Sequence, residues 1–351
     1  MQLLTPTRLG DLDLRTRVVM APMTRSRAGD ADEPTDLVVE YYRQRAGAGM
    51  IISEGIYPSA DGKGYVRTPG LVTDAQIAGW RRVTDAVHEA GGTIVAQLMH
   101  CGRIAHADNK DPGARTVAPS AIRADGAMYT DTVGMAPFDE PVELTTDEVV
   151  ATIDDYRHAA ANAVAAGFDG VELHGTSGYL PAQFLSTGTN HRTDRYGGSV
   201  ENRIRFVVET LEALAAEIGA ARVGLRVCPG NPFNDLHDDD PAETFTALFG
   251  AIEPMGLAYL HVIRMDAGVD NLALARSHSS APLIVNDSYD VAEAERVVAS
   301  GAAAAVSFAR AYISNPDLVE RIRQGVDLTA FDRKALYTVG PEGYTDYPAA
   351  T

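Results

Sequence analysis

The chain has 351 residues, 45% apolar and 22% charged, with 32 Gly and 18 Pro. That composition excludes disorder, a collagen-like rod and a coiled coil, and the length sits near the limit for one hydrophobic core. A formal net charge of −18 repels phosphate backbones and anionic membranes, which argues against nucleic-acid and membrane partners.

In chain order, the N-terminus Met1-Gln2-Leu3-Leu4-Thr5-Pro6 has no basic stretch before an apolar one, so no signal peptide is expected. Residues 1–17 alternate as a hairpin around Gly10-Asp11. A rhythm of helix, Gly stop and short apolar strand follows. A strand at 18–20 leads to a helix at 37–47 and, after Ala48-Gly49, a strand at 50–52. Thr73-x-x-Gln76 reads as a capping box for a helix at 76–90, and Gly91-Gly92 precedes a strand at 93–98. Residues 99–145 are far longer than an ordinary strand-to-helix loop and are expected to form a lid.

Thr145-x-x-Glu148 opens a helix at 146–166, and Ala166-Gly167 leads into a strand at 170–173. A helix at 200–218 and a strand at 223–227 follow. Asp238-Asp239-Asp240 is read as a solvated loop ending in an N-cap, with Pro241 in the first turn of a helix at 241–252. Beyond Gly256 come a strand at 258–262, a short segment without a clear helix, and a strand at 283–285. Asp290-x-x-Glu293 starts a helix at 290–299, Gly301 precedes a strand at 304–308, and Pro316 is placed in the first turn of a helix at 316–323. The strands are apolar without strict alternation, as in a parallel sheet buried on both faces. Eight such units predict an α/β protein, a (β/α)8 TIM barrel in one domain over 1–351, with the hairpin 1–17 as a cap, the lid 99–145 after the third strand and a tail 330–351. A doubly wound sheet is the alternative, weakened by the lack of Gly-x-Gly-x-x-Gly after the first strand.

Cys101 and Cys228 form no disulfide framework and no apolar run is long enough to span a bilayer, so a cytoplasmic protein is expected. In a TIM barrel the chemistry sits where strands end. Those ends carry Pro22-Met23-Thr24-Arg25, Ser53-Glu54-Gly55, Gln97-Leu98-Met99-His100, His174-Gly175-Thr176-Ser177-Gly178-Tyr179, Arg226, Asn286-Asp287-Ser288 and Ala309-Arg310. His100 and His174 lack a clear third ligand, so no metal is assigned. A mouth of hydrogen-bond donors with few carboxylates suits a planar electron-rich cofactor or a carbonyl substrate.

Several stretches are specific: Ala21-Pro22-Met23-Thr24-Arg25-Ser26-Arg27, Glu40-Tyr41-Tyr42-Arg43-Gln44-Arg45-Ala46, Val171-Glu172-Leu173-His174, Asn190-His191-Arg192-Thr193-Asp194-Arg195-Tyr196-Gly197-Gly198-Ser199-Val200-Glu201-Asn202-Arg203, Asn315-Pro316-Asp317-Leu318 and Glu342-Gly343-Tyr344-Thr345-Asp346-Tyr347-Pro348. Through them, over nearly its whole length, the chain resembles the old yellow enzymes, FMN-dependent ene reductases on a TIM barrel. The resemblance implies hydride transfer from NADPH or NADH through flavin N5 to the β-carbon of an α,β-unsaturated carbonyl or nitro compound, in a monomer or homodimer. It implies that Pro22, Met23, Thr24, Gly55, Gln97 and Arg226 contact the flavin ring, and that Asp287, Ser288, Ala309 and Arg310 surround its phosphate. It implies His174 and Ser177 as donors to the substrate oxygen and Tyr179 as the acid that protonates the α-carbon. Tyr65, Met99, Ala267 and Tyr337 are implied to line the substrate pocket.

Four departures from the family pattern stand out. Ser177 replaces a second His or Asn, Asp287 stands where Gly usually meets the phosphate, Ala309 replaces a Gly, and Met99 and Ala267 replace bulkier Trp. They raise two alternatives: a family member repurposed as a non-reducing isomerase or cyclase with weak or no FMN binding, working through His174 and Tyr179, and a non-catalytic binding barrel.

Overall fold

In the computed structural model, which describes residues 1–350, eight parallel strands close into a barrel. They are β1 (Val18–Met20), β2 (Met50–Ile56), β3 (Ile94–Leu98), β4 (Gly170–His174), β5 (Val223–Val227), β6 (Tyr259–Ile263), β7 (Leu283–Asn286) and β8 (Ala305–Phe308). Each pairs with the next in sequence, and β8 closes the ring on β1. All are buried along nearly their whole length, the reason their sequences lack polar alternation.

The outer helices are α1 (Asp36–Gln44), α2 (Asp74–Glu89), α3 (Thr146–Ala165), α4 (Arg205–Ile218), α5 (Pro241–Ile252), α6 (Asn271–His278), α7 (Val291–Ala299) and α8 (Leu318–Gln324). Thr73 with Gln76, Thr145 with Glu148 and Asp290 with Glu293 form complete capping boxes, and Asp240 accepts from the Glu243 amide. The segment after β6 does carry a helix, α6, capped by Asp270. Several boundaries differ from expectation: β2 runs on past residue 52 to Ile56, and α1 ends at Gln44 rather than at 47. The helix predicted over 200–218 is a short turn, Val200–Arg203, followed by α4, with Ile204 keeping helical dihedrals between them. Pro316 lies outside α8, because Asp317 takes the N-cap position.

The N-terminal hairpin, Thr7–Leu9 with Leu12–Leu14, closes the barrel's bottom. Leu9, Leu12 and Leu14 pack against Val19, Met50, Ile52, Val95, Ile284 and Ala305. Its turn requires Gly10: φ is +57°, and a Cβ there would lie 2.3 Å from the Ala221 carbonyl oxygen. At the opposite end, β2 bulges by one residue, since Ile52 pairs with Val95 but Gly55 pairs with Gln97. The bulge places the Ser53 hydroxyl 3.0 Å from the Gln97 amide, which donates to it.

The segment 99–145 folds over this top face. It contains a hairpin, Ala127–Thr130 with Gly134–Pro137, and a strand pair, Val117–Ala118 with Val142–Glu143. Met128, Phe138, Ile104 and Ala124 pack onto Met99 and Tyr179, so the lid rests on the strand ends.

Candidate active site

Between the barrel's top, the lid hairpin and the C-terminal tail lies a cavity of about 790 Å3. Pro22 and Thr24 reach it from the end of β1, Gln97 and Met99 from β3, His174, Ser177 and Tyr179 from β4, and Arg226 from β5. Tyr65 and Tyr337 join them from the loop after β2 and from the tail. Parallel strands bring these distant positions together because their ends share one rim. Although the chain is strongly acidic, the lining holds Arg67, Arg226 and Lys334 and, among the described residues, no Asp or Glu.

The floor is polar and tightly held. Gln97 and Arg226 are buried, with 2% and 7% exposure. Gln97 Nε2 donates to Glu172 Oε1 at 2.8 Å, and Arg226 Nη2 donates to Asn286 Oδ1 at 2.6 Å. Gly55 sits against this floor, and a Cβ there would lie 2.5 Å from both Met99 Cε and Sδ. Met23 lies behind the lining, packed against the main core.

His174 is buried, and its Nδ1 has no partner among the described residues. Burial, reinforced by the Arg226 charge, pushes its pKa down to about 3, so the ring is neutral near pH 7. A neutral imidazole with an unengaged ring nitrogen suits hydrogen bonding to a ligand. The Tyr179 hydroxyl lies 3.1 Å from the Tyr65 hydroxyl, and the Tyr179 ring meets His174 edge-on at 4.9 Å. Burial drives the Tyr179 pKa well above its ordinary value, with Tyr65 adding to the effect, so this phenol keeps its proton. Ser177 adopts φ +61°, held there in part by Asn234 Nδ2 donating to its carbonyl at 2.8 Å.

Other expected residues lie elsewhere. Ala267 lines a separate cavity of about 250 Å3 with Cys228, Gly230 and Asn231. Asp287, Ser288, Ala309 and Arg310 cluster at the ends of β7 and β8, outside the cavity lining. Asp287 and Ser288 both take left-handed backbone, φ +76° and +56°, a conformation that favours Gly. The Asp287 carboxylate turns toward Arg310, with Oδ1 3.4 Å from Nη2. His100 is structural: its Nδ1 accepts from the Gly102 amide at 3.1 Å, and burial lowers its pKa to about 3.

The sequence reading missed the lid residues Met128, Tyr129, Met135 and Phe138, and also Phe233 and Asn234. Met128, Tyr129 and Met135 sit on the short strands of the lid hairpin and the others in loops, and neither gives a run long enough to carry a periodic signal. Nor were Glu172 and His261, which touch Gln97 and Arg226, singled out, although a charged or titratable residue inside an otherwise apolar strand is a readable signal.

The residues fit FMN at the ring end, where an unpartnered His174 nitrogen, the Gln97 amide and Arg226 converge without a facing carboxylate. The family model described as NADH:flavin oxidoreductase / NADH oxidase family matches residues 2–329. A probable flavin mononucleotide-dependent alkene reductase of Leishmania infantum is 40% identical, covering 99% of this chain and 97% of its own length. The 12-oxophytodienoate reductase 1 of Oryza sativa subsp. japonica is 39% identical, over 99% of this chain and 92% of its own. Among solved structures, a morphinone reductase in complex with tetrahydroNAD superposes with a TM-score of 0.95 at 43% identity, covering 100% of this chain and 98% of that one. An old yellow enzyme homologue from Zymomonas mobilis has a TM-score of 0.95 at 39% identity, covering 99% of each chain.

Proposed function

Since the chain belongs to the NADH:flavin oxidoreductase / NADH oxidase family, the old yellow enzymes, we propose that it is an FMN-dependent ene reductase drawing on NADH or NADPH. The observation that carries this reading is the convergence of Thr24, Gln97, His174, Tyr179 and Arg226 on one cavity. Bound FMN supplies the hydride chemistry that no side chain here can perform. Everything else falls to the chain's own groups. Arg226, Gln97 and Thr24 hold the flavin ring. Neutral His174 donates a hydrogen bond to the carbonyl or nitro oxygen of an electron-poor alkene, with the Ser177 hydroxyl as a second, shorter-reaching donor. Negative charge grows on that oxygen in the transition state, where an aimed donor is worth about 3–4 kcal/mol. Tyr179, still protonated, delivers its proton to the α-carbon. Tyr65 stands by to donate to the phenolate left behind.

Met99 and the lid aromatics give the substrate pocket an apolar wall, and Tyr337 stands at its rim. At the phosphate end, Arg310 is read as the cation that meets FMN, with Asp287 competing for it. The chain is read as one domain, acting as a monomer or homodimer in the cytoplasm. Two buried free cysteines and the lack, among the described residues, of a helix long and apolar enough to cross a membrane are consistent with that location.

The non-reducing isomerase is not favoured, because Thr24, Gln97 and Arg226 line the cavity beside His174 and Tyr179. Isotope labelling tests the proposal. Reduction of 2-methylcyclohexenone in D2O is expected to place deuterium at the α-carbon, and a nicotinamide deuterated at C4 is expected, through FMN, to label the β-carbon. Conversion without consumption of nicotinamide would instead restore the isomerase reading.

A further inference from the structure

Beneath the cavity floor runs a chain of polar contacts that the proposed reaction does not itself use. Glu172 in β4 and His261 in β6 are both fully buried. Glu172 Oε1 accepts from Gln97 Nε2 at 2.8 Å, and Glu172 Oε2 lies 2.8 Å from His261 Nδ1. His261 Nε2 lies 2.7 Å from Ser307 Oγ, and Arg226 Nη1 lies 2.7 Å from Nε2 and 3.0 Å from Nδ1, so the ring and not the carboxylate is what the guanidinium touches. Arg226 Nη2 then donates to Asn286, whose Nδ2 donates to the Ser307 carbonyl at 2.9 Å.

Elementary chemistry fixes the protons in this chain. An ionised carboxylate only accepts, so Gln97 must turn its nitrogen toward Glu172 and its carbonyl oxygen away from it. For the same reason His261 must carry its hydrogen on Nδ1, which leaves Nε2 as an acceptor. Burial and the Arg226 charge lower the His261 pKa to about 4, so the ring is a neutral bridge near pH 7. Burial alone would raise Glu172, but His261, Arg226 and Gln97 outweigh it and keep the carboxyl below its ordinary value.

From this geometry we infer that Glu172 and His261 are positioning residues for the cofactor floor. Glu172 fixes directly which amide atom Gln97 turns away, and through the imidazole it fixes the orientation of Arg226. The imidazole is also a spacer. A carboxylate in direct contact with Arg226 would cancel much of its charge, whereas a neutral ring between them holds the guanidinium in place and leaves its charge facing the cavity. Glu172 then sets how strongly the floor favours the reduced, more negative flavin over the oxidised one. The inference rests on the FMN reading of the cavity.

Two measurements test it. The first uses the wild-type protein without cofactor, labelled with 15N-histidine. Long-range 1H–15N spectra are expected to show His261 as the Nδ1–H tautomer between pH 6 and 8, and an Nε2–H tautomer or an imidazolium overturns the network. The second compares dissociation constants for oxidised and reduced FMN. Glu172→Gln keeps the size and removes the charge. It is expected to shift the ratio of the two constants about tenfold toward the reduced form, equivalent to about 30 mV for a two-electron couple. His261→Gln can still donate to Glu172 and accept from Arg226, so its shift is expected to stay below about threefold. A Glu172→Gln protein with a ratio within twofold of wild type overturns the proposal, as does an equal shift in both variants. If Glu172→Gln does not fold, His261→Leu, which removes the spacer and keeps the carboxylate, is expected to shift the ratio more than about threefold toward the oxidised form, and a ratio within about twofold of wild type overturns the proposal. If the wild-type protein takes up no FMN, the reading of the cavity fails, while the tautomer still decides the network.

Discussion

Two neighbouring side chains at the end of β4, His174 and Tyr179, respond to the same burial with opposite pKa shifts. Burial keeps the His174 ring neutral and Tyr179 protonated, as the donor and acid roles proposed for them require. Tyr179→Phe is therefore expected to slow reoxidation of the reduced protein by a cyclic enone about 10²- to 10⁴-fold. Reduction by NADH or NADPH should change less than threefold. Stopped-flow absorbance separates the two half-reactions, and an unchanged enone rate would remove Tyr179 from the mechanism. A second residue-scale expectation concerns Asp287. Asp287→Gly frees Arg310 and relieves a left-handed position, so FMN should bind about three- to tenfold tighter while riboflavin, which lacks the phosphate, is unaffected. Equal effects on both flavins, by fluorescence titration, would detach Asp287 from the phosphate. Thr24, Gln97, His174, Tyr179 and Arg226 were legible because strand ends are legible. Tyr65 and Tyr337 were legible only through the family resemblance, since loop residues reach the cavity only through tertiary folding. Ala267, which the resemblance put in the substrate pocket, lines the neighbouring cavity instead.

Among the elements, the two arginine-rich motif stretches prove to be fasteners for the C-terminal tail. Arg25 Nη2 donates to the Gly343 carbonyl at 2.7 Å, and Arg45, which also donates to the carbonyls of Tyr312 and Ile313, reaches the Tyr344 carbonyl in the tail at 3.4 Å. Arg27 is the most heavily used, donating to Ala335 at 3.1 Å, Leu336 at 3.0 Å, Gly340 at 3.0 Å and Glu342 at 2.9 Å. Tyr41 and Tyr344 stack at 4.0 Å, with Arg27 over the Tyr344 ring. The tail so fastened carries Tyr337 and Lys334 to the cavity rim. Arg27→Ala strips partners from several carbonyls and is expected to cost about 2 kcal/mol or more, by denaturant titration. Limited proteolysis should then cut within 330–351, and the enone KM should rise more than kcat falls. A tail as resistant as in wild type would show that the fastening lies elsewhere. Strand and helix order was readable because Gly stops and capping boxes are local signals. The β2 bulge, the lid hairpin and the tail's docking were not, because they depend on partners far away in sequence.

For the whole molecule, the −18 charge and the cationic cavity lining describe a surface and an interior of opposite character. The interior also holds three neutral histidines, His100, His174 and His261, lowered to about 3, 3 and 4. Their folded values lie below the ordinary value of about 6.5, so the unfolded chain binds more protons between those limits. The stability they confer is present above about pH 6.5 and is lost as pH falls toward 4. The slope approaches about 1.4 kcal/mol per pH unit for each histidine. Denaturant melts at pH 7, 6 and 5 should show that progressive loss. A flat profile would mean that the histidines charge within the fold. Since His174 does not titrate near neutrality, the enone rate should show no ionisation close to pH 6.5.

The reductase reading as a whole comes down to one spectrum. Purified protein loaded with FMN is mixed anaerobically with NADH or NADPH, and then with 2-cyclohexenone. The flavin absorbance band is expected to bleach with the nicotinamide and return in full with one equivalent of enone. A protein that takes up no FMN, or whose band does not return with the enone, contradicts it.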